Sequence, residues 1–266
     1  MENYVLTDAI GTQHTFAKVP QRIVSLVPSQ TELLVDLGLE SKIVGITKFC
    51  IHPKNLRNEK VIVGGTKKVD YDKIKSLAPD IIVCNKEENT LEMVENLRQI
   101  GQVWVTDINT LEDNFQMISD FGNLFDCMAE AENWNQKIAL AMNDFKKFIQ
   151  NKAVKRVAYF IWKNPYMVAA GANFINEMLL LNRFENAFAK LSRYPEVNIQ
   201  EINKDKDLDY VFLSSEPYPF KEKDALEISV YTHSANVILV DGEMFSWYGS
   251  RILKAFDYFK KLHQNL

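Results

Sequence analysis

The segment 22–38 shows the hydrophobic pattern of a buried strand followed by an amphipathic helix. Residues 23–27 form a short apolar run rich in β-branched side chains. Ser29 and Glu32 have the spacing of a capping box at a helix start. In a parallel sheet this corner lies at the carboxyl end of the strand, where ligands commonly bind. Ser29 and Gln30 are therefore candidate ligand-binding residues, although an ordinary strand-to-helix corner fits the same pattern.

Units of the same kind follow along the chain. Helical and strand patterns alternate over 70–79, 81–84, 90–100 and 103–105. The segment 4–16, with Gly11 and Thr12 at its middle, is typical of a small hairpin. Strands that alternate with short helices predict an α/β layer with a parallel sheet. We assign 1–110 to this N-terminal lobe.

Residues 111–150 carry the period of one long helix, because apolar side chains recur at helical spacing without an intervening proline. Only Gly122 interrupts the pattern. Such a helix would be about 55 Å long. A coiled coil is the alternative, but the irregular charge pattern and the α/β patterns on both sides favour a connector between two lobes. We assign the connector to 111–152.

A second series of strands and helices follows the connector. Strands are predicted over 156–162, 166–169, 209–213 and 236–240, and helices over 173–181 and 250–262. These elements form a C-terminal α/β lobe over 153–266. The predicted organisation is thus two lobes and a helical connector.

Several motifs together resemble the substrate-binding proteins of ABC importers for cobalamin, haem and iron-siderophore chelates. They are Asp8-Ala-Ile-Gly-Thr-Gln-His-Thr-Phe16, Pro20-Gln-Arg-Ile-Val-Ser-Leu26, Pro28-Ser-Gln-Thr-Glu32, Val44-Gly-Ile46, Val63-Gly-Gly65 and Asp72-Lys-Ile-Lys-Ser-Leu-Ala-Pro-Asp-Ile-Ile-Val83. Trp247-Tyr-Gly-Ser-Arg-Ile252 is similar to the cobalamin-binding branch. The resemblance spans nearly the whole chain. It implies the class III periplasmic-binding-protein fold, in which a single long α-helix joins two Rossmann-like lobes and the ligand binds in the inter-lobe cleft.

The loops at the ends of the first-lobe strands supply one set of candidate ligand-binding residues. They are Phe49, His52, Thr66, Lys67, Asn85 and Lys86. Cys50 and His52 have a spacing that can give two ligands to a metal. A structural zinc site normally takes four ligands, and the chain has no second such pair. The imidazole of His52 is therefore a candidate for reaching the metal of a bound chelate, and a plain loop histidine is the equal alternative.

Aromatic and cationic residues of the second lobe supply the other set. They are Trp162, Tyr194, Trp247 and Arg251. Flat aromatic side chains suit a tetrapyrrole or catecholate, and an arginine suits its polar edge. A core position is the alternative for both tryptophans. It is the stronger interpretation for Trp162, which ends an apolar strand, whereas Trp247 lies in a turn before a helix and is expected to contact the ligand.

Three first-lobe positions depart from the cobalamin-binding branch. That branch carries tryptophans in the loops that correspond to Thr66 and Asn85, and a tyrosine near the position of His52. The first-lobe face of this chain is polar and charged instead. The resemblance therefore supports the fold more firmly than it supports cobalamin, and a smaller or more polar ligand or a cobalamin precursor is compatible with it.

Composition excludes several classes of function. The chain is 47% apolar and 25% charged with a net charge of -4, which gives no reason to expect nucleic-acid binding. No apolar run is long enough for a membrane span. The motifs of serine hydrolases and zinc proteases are absent, so we expect a non-enzymatic protein without an intrinsic cofactor. We expect a monomer whose partners are a small-molecule ligand and an ABC permease.

The start of the chain leaves its location open. The segment 1–4 lacks the basic and apolar regions of a signal peptide, so either a signal was removed or the protein stays in the cytoplasm. The first case places it in the periplasm or at the cell surface. Three cysteines give no disulfide framework and mildly favour a reducing compartment. The expected function is capture of a cobalamin-like, haem or ferric-siderophore ligand for an ABC importer, and the alternative is a cytosolic carrier or sensor of a corrinoid or metal chelate.

Overall fold

A computed structural model describes residues 4–204, 206–232 and 235–266. The chain divides into two units. The first contains Met1–Ile108, Glu112–Ala139 and Tyr248–Arg251, and the second contains Asn109–Leu111, Leu140–Trp247 and Ile252–Leu266. Each unit has its own parallel β-sheet. The prediction of two α/β lobes is therefore confirmed.

The first unit begins with a hairpin and continues as a parallel sheet. The antiparallel hairpin consists of β1 (Tyr4–Thr7) and β2 (Gln13–Phe16), as the sequence predicts. The sheet strands are β3 (Ile23–Ser25), β4 (Ile43–Ile46), β5 (Val61–Ile62), β6 (Ile81–Asn85) and β7 (Gln102–Thr106). Their order is β5-β4-β3-β6-β7, and all neighbours are parallel. The strands next to the sheet centre are continuous apolar runs because both faces of a parallel sheet are covered.

Four helices follow strands or loops of this unit. They are α1 (Pro28–Asp36), α2 (Leu56–Glu59), α3 (Tyr71–Ser76) and α4 (Leu91–Arg98). Asp70 and Thr90 cap α3 and α4 through their side-chain oxygens. The predicted capping box at the start of α1 is wrong, because Val27 is the N-cap residue and no side chain caps this helix. The carboxylate of Glu32 does not cap α1 and instead accepts hydrogen bonds from Arg251.

The long helix predicted over 111–150 is in fact two helices. These are α5 (Leu111–Phe125) and α6 (Met128–Ile149). Between them Asp126 has a φ of 55°, a left-handed conformation that ends a helix. The amide of Asn135 on α6 donates to Phe115 O and Ser119 Oγ on α5, at 3.1 and 3.0 Å, so the two helices lie side by side.

The close packing of α5 on α6 also explains Gly122. A Cβ atom at Gly122 would lie 2.5 Å from Met128 Sδ and 2.7 Å from Ala131 Cβ, which is too close for any other residue. The chain passes from the first unit to the second within α6, between Ala139 and Leu140. This helix of 22 residues is about 33 Å long, rather than the predicted 55 Å or so. The prediction of one continuous helix over 111–150 is therefore wrong, and the connecting role assigned to 111–152 stays a prediction.

The second unit contains a mixed sheet and four helices. Its strands are β8 (Lys155–Trp162), β9 (Met167–Ala169), β10 (Phe184–Asn186), β11 (Tyr210–Ser214) and β12 (Asn236–Val240). The order β10-β8-β11-β12 is parallel, and β9 pairs with β8 in the antiparallel direction. The helices are α7 (Phe174–Leu181), α8 (Glu222–Ser229), α9 (Gly242–Ser246) and α10 (Ile252–Asn265). Buried aromatic rings on α6, β8, β10, β11, α9 and α10 form much of its core.

Residues 248–251 belong to the first unit although the residues before and after them belong to the second. Gly249 has a φ of 81° and donates its N–H to Asn114 Oδ1 at 2.5 Å. Ser250 Oγ donates to Asp36 Oδ2 at 2.5 Å. The guanidinium of Arg251 donates from Nε and Nη2 to the two carboxylate oxygens of Glu32 at 2.6 and 2.9 Å. This buried ion pair joins the 248–251 segment to α1.

We expect Arg251→Met to lower the free energy of unfolding by about 3 to 5 kcal/mol, because the carboxylate of Glu32 would remain buried without its cation. The double variant Glu32→Leu/Arg251→Met should recover part of this loss, since neither charge is then buried alone. Urea unfolding measures both. Lys260→Met is the matched control, because its partner Asp144 is 67% exposed and solvent screens the pair, so the effect on stability should be much smaller. Equal effects of Arg251→Met and Lys260→Met would contradict the structural role of Arg251.

A second prediction concerns acid stability and His263 on α10. Its ring stacks on Phe184 with centroids 4.9 Å apart. Burial, and then the charge of Lys152, lower its pKa from 6.5 to about 4. As the pH falls below about 6.5 the unfolded chain binds a proton that the folded ring does not, so stability present at neutral pH is lost between about pH 6.5 and pH 4. For a half-buried ring we expect a loss of about 1 to 2 kcal/mol from this residue.

Urea unfolding at pH 7 and at pH 4.5 tests this loss. The comparison is between the parent protein and His263→Phe, which keeps an aromatic ring beside Phe184 and cannot bind a proton. The variant should lose less stability over this interval than the parent. The same loss in both proteins would mean that His263 does not cause it.

Candidate ligand-binding site

Polar side chains gather at the carboxyl ends of β6 and β7 in the first unit. Gln30 Nε2, in the first turn of α1, donates to Thr106 Oγ1 at 2.5 Å and to Tyr248 OH at 3.1 Å. Asn85 Nδ2 donates to the same Thr106 hydroxyl at 3.1 Å. Gln30 is fully buried, and Asn85 and Thr106 are nearly so. Two of the predicted ligand-binding residues, Gln30 and Asn85, are thus held inside the unit by one network.

Asn85 also shapes the loop that follows β6. Its Oδ1 accepts the N–H groups of Glu87 and Glu88 at 2.9 and 3.2 Å, and its own N–H donates to Asn89 Oδ1 at 2.8 Å. Asn89 Nδ2 donates to Thr66 O at 2.8 Å. The loop after β6 and the loop that contains Thr66 are therefore bonded to each other. The sequence predicts ligand-binding residues in each of these two loops, and the structure shows that the loops are in contact.

The charged side chains of these loops are arranged around Glu88. Lys67 Nζ donates to Glu87 O at 2.6 Å, and Lys86 pairs with Asp107 at 2.5 Å. Glu88 is half-buried, and burial raises the pKa of its carboxyl group against the opposing effect of Lys67. The sequence predicts that this charged run, which follows a strand end, faces the cleft, and a simply solvated run is the alternative. The position of Glu88 depends on the bond between Asn89 and Thr66, for which the sequence carries no signal.

Tyr248 lies beside the same loop. Burial raises the pKa of its phenol, and the nearby charge of Glu88 raises it further. Hydrogen bonds from Gln30 and with Ser29 act in the opposite direction. The phenol therefore remains protonated at neutral pH. Ser29, a predicted ligand-binding residue, is almost fully buried in this environment.

The loop after β4 carries Phe49, an exposed aromatic residue among the candidate ligand-binding residues of the first unit. Phe49 is 48% exposed, and Lys48 Nζ lies 5.0 Å from its ring centroid. Cys50 is buried, with its Sγ 3.1 Å from Thr31 Oγ1, and burial raises the pKa of its thiol. His52 is half-buried. Because the Cys50 thiol points into the core, it cannot act with His52 as a pair of metal ligands at the surface, and the described residues contain no cluster of three or more metal-ligating side chains.

In the second unit, Trp162 ends β8 and is 39% exposed. Its ring meets that of Tyr218 edge to face, with centroids 5.8 Å apart. Tyr218 N donates to Ile161 O at 3.2 Å, which fixes this second aromatic side chain beside the end of β8. Tyr194 is also half-buried. Sequence reasoning missed Tyr218, because it precedes a helix and lies outside any strand or aromatic motif.

The expected environments of the two tryptophans are reversed. Trp247 is 8% exposed, and its Nε1 donates to Glu216 Oε1 at 2.7 Å, an oxygen that also accepts from Ser246 Oγ at 2.7 Å. Trp162, a candidate ligand contact for which the core alternative was stronger than for Trp247, is the open one. A strand end allows a large ring to face outward, whereas Glu216 satisfies the indole N–H of Trp247 and permits its burial. Arg251 is 4% exposed and bonded to Glu32. Ligand contact by Trp247 and Arg251 stays a prediction.

Comparisons with known proteins identify sequence and structural relatives of this chain. The sequence profile of periplasmic binding proteins matches residues 23–229. An uncharacterized ABC transporter substrate-binding lipoprotein of Bacillus subtilis, YvrC, is 29% identical over 75% of this chain, and the match covers 65% of that protein, which is less than two thirds of its length. A vitamin B12-binding protein of Vibrio campbellii is 27% identical over 73% of this chain and 71% of its own. No helix among the described residues is long and apolar enough to cross a membrane.

A solved structure supports the fold over the full length. The petrobactin-binding protein YclQ of Bacillus subtilis matches all of this chain and 98% of its own, with a TM-score of 0.79 and 18% sequence identity. This likeness concerns the fold alone. The profile match covers well over half of the chain and includes the polar loops of the first unit. The chain therefore belongs to the periplasmic binding protein family.

Proposed function

We propose that the protein binds a cobalamin-like, haem or other metal-chelate ligand reversibly, without chemical turnover, and presents it to an ABC permease. The profile match over residues 23–229 carries this proposal. The names of the relatives, a substrate-binding lipoprotein and a vitamin B12-binding protein, agree with it. Capture for an importer would take place in the periplasm or at the cell surface.

The ligand is held, in this proposal, at the carboxyl edge of the first unit's sheet. Exposed groups there are the ring of Phe49 and the ammonium groups of Lys67 and Lys86. The buried residue Asn85 orders the loop that carries Lys86, and Asn89 bonds that loop to Thr66, next to Lys67. Trp162 and Tyr194 are proposed as ligand-contacting residues of the second unit. This edge combines one open aromatic face with several cations, which suits a conjugated ligand that carries carboxylates or other acceptors.

Screening cobalamin, cobinamide, haem and ferric siderophores by thermal shift and absorbance tests the function. A true ligand raises the melting temperature by mass action, and the rise grows with the logarithm of its concentration above Kd. The ligand should be recovered unchanged after prolonged incubation. If none of the four ligands changes the melting temperature or the absorbance, the proposed ligand class would rest on the fold alone, which does not establish a function.

Phe49→Ala should weaken the ligand found in this screen by about 1 to 3 kcal/mol, or roughly five- to 150-fold, because an aromatic anchor is removed from the ligand face. Titration calorimetry measures the change. The melting temperature of the unliganded variant should stay near that of the parent, since Phe49 is about half exposed. Val5→Ala is the control for loss of an exposed apolar side chain on the hairpin of the same unit. An unchanged affinity in Phe49→Ala would remove this ring from the site.

We also propose that His52 reaches the metal of a bound chelate. His52→Ala should then weaken the metal-bearing ligand at least tenfold more than its metal-free form, because only the former loses a coordinate bond. The absorbance spectrum of the bound chelate should change as well. Equal weakening of both forms with an unchanged spectrum would show that the imidazole only lines the site.

A further inference from the structure

The second unit contains a cavity of about 390 Å³ that none of the candidate ligand-binding residues line. Ala158 of β8, Leu208 before β11, and Ala187 and Phe188 after β10 form part of its wall. Ile202 and Lys204 of the 3₁₀ turn Ile199–Lys204 form another part. Ala158 lies in the amino-terminal half of β8, whereas Trp162 is its last residue. At its other end the cavity reaches Glu196, which pairs with Met167 of β9.

The inner wall of the cavity is apolar. Ala158, Ile202 and Leu208 belong to the core of the second unit, and Ala187 and Phe188 pack against that core. The two alanines leave space that larger side chains would occupy. Apolar atoms beside an empty space lose their van der Waals contacts on that side. A compact hydrocarbon group in the cavity would restore these contacts.

The outer wall carries an excess of negative charge. Its charged residues are Glu196, Glu201 and Lys204. Lys204 pairs with Glu201 at 3.0 Å. Within the part of the chain that the structure describes, the exposed carboxylate of Glu196 has no ion pair. One carboxylate at the opening is thus available to a cation from outside.

We propose that this cavity is a second small-molecule site, which takes a compact aromatic or branched aliphatic amine. The hydrocarbon part lies against Ala158, Ala187 and Phe188, and the ammonium group pairs with Glu196. The volume lies within the range of known small-molecule sites, which is about 300 to 1,000 Å³. Charge complementarity favours the amine over a neutral or anionic compound of the same shape.

The test uses three probes of similar shape, namely 2-phenylethylamine, 2-phenylethanol and 3-phenylpropionate. The amine should raise the melting temperature with the logarithmic concentration dependence of one-site binding, and titration calorimetry should give a Kd in the millimolar range or below. Glu196→Gln should weaken the amine about two- to fivefold and leave the alcohol unchanged. A response to 3-phenylpropionate equal to that of the amine would overturn the charge assignment.

Two substitutions that fill the cavity decide whether the shift arises there. Ala187→Leu and Ala158→Val each reduce the space, and a folded variant of either kind should lose the amine response. Ala189→Leu is the matched control, because Ala189 is exposed and does not line the cavity. Loss in a filled variant with retention in the control supports the site. No rise in the parent's melting temperature with the amine, or full retention of that rise in a filled variant that melts at or above the parent temperature, would overturn the proposal.

Discussion

The buried pair between Glu32 and Arg251 is the interaction on which the candidate edge of the first unit depends. The two residues are 219 positions apart, and their side chains meet through two charge-assisted hydrogen bonds. Burying both charges costs solvation free energy, which a bidentate geometry offsets only when both partners are present. The pair therefore fixes one position of the 248–251 segment against α1 more than it adds stability. Tyr248, three residues earlier, is placed beside Gln30 as a consequence.

A network of hydrogen bonds extends from Tyr248 to the loops at the carboxyl edge of the first unit's sheet. Gln30 connects Tyr248 to Thr106 at the end of β7, and Asn85 connects Thr106 to the loop after β6. Asn89 then ties that loop to Thr66. The side chains in this network are buried, and its last acceptor is the backbone carbonyl of Thr66. The network therefore fixes these loops from the interior of the unit. Phe49 and Lys67 are left at the surface, where a ligand can contact them without breaking the network.

Local pattern was sufficient for most of the fold. A run of β-branched residues predicts strands such as Ile81–Asn85. An apolar face and a threonine cap predict helices such as Leu91–Arg98. The break between α5 and α6 could not be read in this way, because apolar residues continue at helical spacing on both sides of Asp126. Its one signal was Gly122, whose meaning as a close helix contact requires the tertiary structure.

The candidate site was less predictable because burial depends on distant partners. Residue type suggested aromatic and cationic ligand contacts at Trp247 and Arg251, and each has a carboxylate partner that the sequence does not reveal. Tyr218 went unnoticed for the same reason, since its position follows from a bond to the end of another strand. In this edge the buried polar residues order the loops, and ligand binding by the exposed residues is the proposal that follows.

A crystal structure of the protein with its ligand, once the screen has identified one, tests this division most directly. The account predicts contacts from Phe49 and Lys67, an unchanged pair between Glu32 and Arg251, and Gln30 still bonded to Thr106 and Tyr248. A ligand that leaves Phe49 and Lys67 without contact, or a bound structure in which Glu32 and Arg251 are separated, would contradict the account.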